Sequence, residues 1–196
     1  MMQTIGVIGL GTMGLGIAQL YAAAGFSVIA TDANAPARDS ARTRMQTALN
    51  TRVTAGKLTE TARDATLENL TITDDLATLK PCTMIIEAII ERLDAKQTLF
   101  AQLQSIAPSA ILATNTSSIP VRDIASALKT PANLLALHFF NPPTAMRLVE
   151  LAPHSGTAPE AIDTARQITE AAGKTVIQCP DRPGFIVNRC ARPYYG

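Results

Sequence analysis

The 196 residues are 47% hydrophobic and 17% charged, with a formal net charge of +1, the profile of an ordinary globular chain long enough to bury a real core. There is no basic excess and no Lys/Arg stripe, which excludes the electrostatic footprint of a nucleic-acid or membrane-surface binder and leaves small molecules or copies of the chain as partners. Cys82, Cys179 and Cys190 lie far apart without metal-ligand spacing, so neither a disulfide framework nor a metal site is expected, and a reducing cytoplasm fits.

The N-terminal MMQTIGVIGLGTMG has no basic stretch ahead of its apolar run and is too short to span a bilayer, so it reads as structure rather than a targeting signal. Strand-length apolar runs then alternate with helical segments. TIGVIGL (4–10) precedes a helix over Met13–Ala24, and FSVIAT (26–31) precedes a long Ala-, Arg- and Thr-rich segment. Gly56, followed by LTETARDATLENL, predicts a helix hairpin between Ala35 and Leu70, projecting from the sheet as an insertion. TMIIEA (83–88), the helical Leu93–Ile106, SAILATN (109–115), the short Ile124–Leu128 and NLLALHFF (133–140) continue the βα order. AMRLVEL (145–151) alternates like an edge strand, Pro159–Ala172 is an amphipathic helix stopped by Gly173, and KTVIQC (174–179) is a last strand. Pro183 opens a final helical segment to Tyr195. The expectation is an α/β, Rossmann-type doubly wound, mostly parallel sheet covered on both faces, with a helix-hairpin insertion.

Gly9-Leu10-Gly11-Thr12-Met13-Gly14 places GxGxxG between a predicted strand and a predicted helix. Gly9 suits a tight turn, Gly11 lets the backbone approach a pyrophosphate, and Gly14 permits close helix–strand packing; Thr12 and Met13 begin the helix whose N-terminus attracts the phosphates. Asp32 ends the second strand about twenty residues on, where an acid binds the adenosine ribose. It would repel a 2′-phosphate, and Ala33 rather than an arginine follows it, so NAD is expected over NADP. The competing reading is a Gly-rich turn with a helix-capping Asp.

A dinucleotide fold does not name a reaction, so the chemistry must come from polar residues at strand ends. Asn115-Thr116-Ser117-Ser118 follows one strand, either as a ligand-binding edge or as a helix N-cap before Pro120. His138, one of two histidines, interrupts the apolar ALHFFNPP; on its own it reads as a satisfied core residue. Glu150 in RLVEL shifts that balance, because the turn at Pro142-Pro143 could fold the two segments side by side and supply a base with its orienting carboxylate. Leu135, Leu137 and Phe139 are expected to build the core and fix the ring. Asn188 in PGFIVNR is either a donor to a substrate oxygen or a capping residue, and His154 reads as a loop residue without a role.

Taken together, GLGTMGLGIA, IIEAIIERLDAKQTLF, ATNTSS, LHFFNPPTAMRLVE and PGFIVNR resemble, in order and over essentially the whole chain, the NAD-binding domain of the L-3-hydroxyacyl-CoA dehydrogenases. RCARPYYG and NTRVTAGKLT are similar to the bacterial 3-hydroxyadipyl-CoA dehydrogenases of phenylacetate breakdown. The resemblance implies oxidation of a (3S)-3-hydroxyacyl-CoA with NAD as cofactor. It implies His138 as base, Glu150 as its partner, Ser117 and Asn188 on the 3-oxygen, and Glu91, Lys96 and Asn115 on the cofactor side. Arg52 and Lys57, on the hairpin, are candidate contacts to the CoA part of the substrate. It further implies an NAD-binding domain over residues 1–183, with 184–196 starting a helical domain that in the family completes the cleft and the homodimer; residues 1–196 alone are expected to have little activity. Two rivals remain: another hydroxyacid reductase of the same fold branch, or a non-catalytic NAD-binding or structural homologue.

Overall fold

The computed structural model describes residues 3–195, and its centre is one eight-stranded sheet. In chain order the strands are β1 (Thr4–Ile8), β2 (Ser27–Thr31), β3 (Leu70–Ile72), β4 (Met84–Glu87), β5 (Ile111–Thr114), β6 (Leu134–Phe139), β7 (Leu148–Pro153) and β8 (Thr175–Gln178). The helices are α1 (Thr12–Ala23), α2 (Ala35–Thr54), α3 (Glu60–Glu68), α4 (Leu93–Ile106), α5 (Val121–Ala125), α6 (Pro159–Ala171) and α7 (Val187–Tyr195). The spatial order is β3-β2-β1-β4-β5-β6-β7-β8. Every neighbouring pair is parallel except β6 with β7. The first six strands follow the doubly wound dinucleotide order, whose chain reversal lies between β1 and β4, and ligands bind such sheets outside the carboxyl ends of the strands.

Apolar residues on alternate strand positions split into two cores. Ile5, Val7, Leu135, Leu137 and Phe139 face α1, α2 and α6 on one side. Ile85, Leu112, Leu134 and Ala136 face α4 and α5 on the other. Burial on both faces explains why the parallel strands read as unbroken apolar runs rather than alternating ones. On the first side, Tyr21 of α1 is fully buried, meets Phe139 edge-on, and shares a 3.1 Å hydroxyl hydrogen bond with Thr169 of α6. That bond ties the two helices together over one face of the sheet.

The structure corrects several expectations. The helix hairpin is not an insertion beside the sheet but the crossover from β2 to β3, a three-residue strand hidden in the TLENLTI sequence. Ala41, Met45 and Leu49 bury one face of α2 in the core, so only the tip projects. The β7 strand is internal, paired on both sides; the outer position belongs to β8. Its apparent alternation arose because residues 145–147 are exposed loop, not strand. The short helix before β6 is Val121–Ala125, and the last helix begins at Val187, because Gly184 and Phe185 take positive φ after Pro183. No helix among the described residues is long and apolar enough to cross a membrane.

The tightest contact between sequence and fold is at Gly14, where a Cβ would lie 1.6 Å from the carbonyl oxygen of Gly9. Neither backbone can yield, since Gly9 itself has φ +95° and sits against Ala88. We predict that Gly14→Val costs about 3 kcal/mol or more, the upper end of overpacking penalties, read as a lower urea midpoint.

Candidate active site

The carboxyl edge of the sheet carries two contiguous clefts that share Ala88 and Ile89. The larger, about 820 Å³, lies over β1, β2 and β4 and is lined by Gly9, Gly11, Asp32, Ala33 and Arg38, with apolar walls from Leu76, Ile90 and Leu99. Its volume is in the range of cofactor sites. A Cβ on Gly11 would meet nothing within 4 Å, so this edge of the loop is open to a ligand. Gly11 is also the N-cap of α1 and offers no side-chain cap, leaving the amides of the first turn, including Thr12 and Met13, to an anion.

Asp32 supports the glycine loop as well as facing the cleft. Its Oδ2 accepts from the Leu10 amide at 2.6 Å and its Oδ1 from the Asn34 amide at 2.8 Å, which leaves lone pairs for ribose hydroxyls. No arginine is adjacent to Asp32 in the chain, yet Arg38 reaches the cleft from α2. Its guanidinium donates to the Asp32 carbonyl at 2.6 Å and to that of Ala33 at 3.3 Å, and Asp74 and Asp94 line the same cleft. Only Nη1 of the guanidinium is so engaged, but with Asp32, Asp74 and Asp94 against the single Arg38 the charge lining the cleft is net negative, which disfavours a 2′-phosphate.

The smaller cleft, about 390 Å³, gathers Met13, Glu91, Lys96, Asn115, Ser117, His138 and Asn188, residues from six different segments. His138 and Glu150 are directly opposite in the antiparallel β6–β7 register, so their side chains share one face of the sheet. The imidazole Nδ1 and the Glu150 Oε2 are 2.8 Å apart. Glu150 is fully buried and accepts two further hydrogen bonds at Oε1, from the amides of Ile186 and Val187 at 2.9 and 2.8 Å. With the carboxylate accepting throughout, His138 carries its proton on Nδ1, and Nε2 is left with its lone pair. No buried side-chain nitrogen or oxygen among the described residues lacks a partner. Since Nε2 makes no bond among the described residues, it opens into the cleft. The ring is held by Phe140, 4.7 Å between centroids, and Phe185, 5.6 Å. Leu135, Leu137 and Phe139 point to the opposite face of β6, so they build the core but do not touch the ring as the sequence suggested.

Asn115-Thr116-Ser117-Ser118 is not the cap of α5. Asp181 does that from elsewhere, its carboxylate accepting from the amides of Val121 and Arg122 at 2.7 and 2.9 Å. The Asn115 carboxamide oxygen instead accepts from the Phe139 amide at 2.9 Å and pins the end of β6. The Ser117 hydroxyl and the Asn188 carboxamide, both lining the cleft, have no partner among the described residues. Arg52 and Lys57 are exposed on the hairpin and line neither cleft.

Behind the cleft is a polar network that the sequence did not reveal. Lys96 is buried, with its ammonium 2.6 Å from Glu87 Oε1 and 3.2 Å from Glu91 Oε2. Glu87, fully buried at the end of β4, also accepts from the Ile89 amide and the Thr114 hydroxyl, each at 2.7 Å. Glu91 accepts from the hydroxyls of Thr116 and Ser118. Burial alone would push the Glu91 carboxyl up, but the Thr116 and Ser118 hydrogen bonds and the Lys96 charge outweigh it and hold the group below its ordinary 4.5. A carboxylate ending an apolar strand, as in MIIE, was the readable sign of Glu87. Two other residues were also missed. Lys174 is buried and donates to the carbonyls of Pro143 and Met146 at 2.5 and 2.7 Å, fastening the loop between β6 and β7; desolvation lowers its pKa. Cys179 is a thiol pushed up to about 12, by burial first and then by the charges of Glu150 and Asp181, so it stays neutral and unreactive. His154 lies in the loop after β7, as read from sequence, but is buried and structural, bonded to the Pro131 carbonyl and the Gly156 amide.

A doubly wound sheet with a glycine loop before α1, an acid at the end of β2 and a histidine–carboxylate pair at the same edge defines the class as a dinucleotide-binding domain. Residues 4–182 match the family described as 3-hydroxyacyl-CoA dehydrogenase, NAD binding domain, and the chain belongs to that family. It is 44% identical over 194 residues to the 3-hydroxyadipyl-CoA dehydrogenase of Escherichia coli K12, covering 98% of this chain and 41% of that protein. A 3-hydroxybutyryl-CoA dehydrogenase of Mycobacterium tuberculosis H37Rv is 40% identical, with coverage of 98% and 68%. Among solved structures, a 3-hydroxybutyryl-CoA dehydrogenase from E. coli K12 superposes with a TM-score of 0.96 at 44% identity, covering all of this chain and 42% of that one. The (S)-3-hydroxybutyryl-CoA dehydrogenase of Ralstonia eutropha gives 0.95 at 31% identity, covering 99% and 69%. The chain thus spans about two fifths of the E. coli protein and about two thirds of the mycobacterial one.

The lowered Glu91 carboxyl makes a pH prediction. A depressed folded-state pKa contributes stability that is present above the unfolded value near 4.5 and lost as pH falls through the lower folded value. The stability difference between wild type and Glu91→Gln, measured by urea denaturation, should be largest near neutrality and shrink as the pH is lowered below about 4.5.

Proposed function

We propose that the protein oxidises (3S)-3-hydroxyacyl-CoA thioesters to 3-ketoacyl-CoA with NAD⁺. The observation that carries this is the 2.8 Å pairing of His138 Nδ1 with a buried Glu150, which leaves Nε2 as a proton acceptor in a cleft continuous with the dinucleotide site.

The glycine loop and first turn of α1 fit the pyrophosphate, Asp32 the adenosine ribose, and Glu91, Lys96 and Asn115 the nicotinamide half. NAD⁺, when bound there, accepts the hydride from C3 of the substrate. His138 Nε2 takes the proton of the 3-hydroxyl as the C–O bond becomes a carbonyl. Glu150 keeps the ring in the tautomer that can do so and stabilises the imidazolium that results. The Ser117 hydroxyl and Asn188 carboxamide, without other partners among the described residues, hold the 3-oxygen near that nitrogen. Phe140 and Phe185 fix the ring, so that proton and hydride leave in one geometry.

The names of the relatives differ in the acyl group, adipyl or butyryl, while the site residues described above surround only the reacting carbon. Chain length is therefore set by walls other than these. Arg52 and Lys57, on the exposed hairpin, remain candidates for the CoA phosphates. Free cysteines and the absence of a metal-ligand pattern are in keeping with a cytoplasmic enzyme, and a second copy of the full chain is the proposed partner.

NADH absorbance with the full-length protein tests this reading, comparing 3-hydroxybutyryl-CoA with 3-hydroxyadipyl-CoA. Turnover of at least one is expected, and turnover of neither would refute it. His138→Ala should lower kcat by roughly 10²–10⁴, the usual worth of general-base assistance, while NADH binding followed by fluorescence stays within about twofold.

A further inference from the structure

We propose that the turn Gly184–Val187 is a backbone nest for the Glu150 carboxylate, and that the amides of Ile186 and Val187 are positioning groups of the His138–Glu150 pair. The inference rests on the dehydrogenase reading for its kinetic consequence, but its geometry stands on its own.

Neighbouring residues of opposite backbone hand point successive amides at one spot, a concavity suited to an anion, and here the hand changes between Phe185 and Ile186. Gly184 and Phe185 have φ of +76° and +42°, and Phe185 is the one non-glycine residue with positive φ among those described. A bulky side chain adopts that conformation only where its surroundings over-determine it. Here they do. The Gly184 amide donates to the Ser117 carbonyl at 2.9 Å, the Phe185 amide to that of Arg182 at 2.9 Å, and the Phe185 ring is buried beside His138. The next two amides, of Ile186 and Val187, converge on Glu150 Oε1.

The two carboxylate oxygens therefore have separate tasks. Oε1 is saturated by the nest, so only Oε2 is available to His138, and the carboxylate plane cannot rotate to offer the ring a different angle. A fully buried carboxylate held by the histidine alone would lack the hydrogen bonds that offset its desolvation. The same turn delivers Asn188 one residue later into the cleft. Seating this one turn thus completes the Ser117 edge, the ring, the carboxylate and the second oxygen-holding side chain together.

Val187 permits a local test. It is the first residue of α7, where proline is tolerated because the amide has no intrahelical partner. Val187→Pro removes one nest donor, whereas Val187→Ala keeps it. Two measurements on the full chain compare them: kcat for NADH formation with NADH affinity alongside, and the His138 Nδ1 proton by ¹⁵N-edited NMR. We expect kcat of Val187→Pro to be about tenfold or more below that of Val187→Ala, part of the roughly 10²–10⁴ that general-base assistance is worth as a whole, with NADH affinity within about twofold. The slowly exchanging Nδ1 proton should persist in Val187→Ala and be lost in Val187→Pro. Equal kcat and an equal Nδ1 signal in the two variants would overturn the proposal. If Val187→Pro does not fold, Gly184→Ala carries the test, since it keeps every amide but disfavours φ +76°: a several-fold loss of kcat with a weakened Nδ1 signal supports the nest, and wild-type values of both overturn it. Lack of turnover in the wild type would defeat the dehydrogenase reading instead, and the NMR comparison would still decide the nest.

Discussion

The structure turns on one reversal of strand direction. The first six strands run parallel, β7 and with it β8 run the other way, and the antiparallel β6–β7 pairing places Glu150 opposite His138. Direct opposition on one face brings the two side chains within hydrogen-bond reach without a loop having to hold either. Burying the carboxylate completely costs several kcal/mol after relaxation. Three hydrogen bonds to a charged acceptor, each worth about 1.5–3 kcal/mol, are of the size needed to offset it. The pair is thus an arrangement that the sheet, the loop fastened by Lys174 and the start of α7 all have to agree on.

Around that pair, the carboxyl edge divides its work between two polar systems. The glycine loop, Asp32 and the first turn of α1 form an open cradle, with backbone amides facing solvent and ligand. The Glu87–Lys96–Glu91 network, with Thr114, Thr116 and Ser118 donating to its carboxylates, ties the ends of β4 and β5 to α4 and presents Glu91 and Lys96 to the small cleft. Its hydrogen bonds keep that part of the cleft in shape beside the open cradle.

What the sequence made legible was the part encoded by residue type. Glycine spacing, an acid at the end of the second strand and a histidine inside an apolar run each have few structural meanings, and in the structure Gly9 and Asp32 line the larger cleft and His138 the smaller. What it hid was the part encoded by backbone and by pairing. The β3 strand is three residues long and has no periodicity to read. The internal position of β7 depends on which strand docks outside it, which AMRLVEL cannot state. His138 and Leu137 look like neighbours in sequence, yet successive side chains of a strand face opposite ways, so the ring's true neighbours are Phe140 and Phe185. The donors to Glu150 Oε1 are main-chain amides, which every residue but proline possesses and no motif can single out.

The central claim is that His138 and Glu150 work as one unit, and a double-mutant cycle on kcat tests it most directly. His138→Ala, Glu150→Gln and the double variant would be compared with wild type in the full-length protein, with NADH affinity confirming that each still folds. The account predicts strong non-additivity, the double variant being no slower than His138→Ala alone, because a carboxylate that acts only through the ring has nothing left to do once the ring is gone. Losses that multiply would contradict it, since they would mean that Glu150 contributes to turnover independently of the histidine it faces.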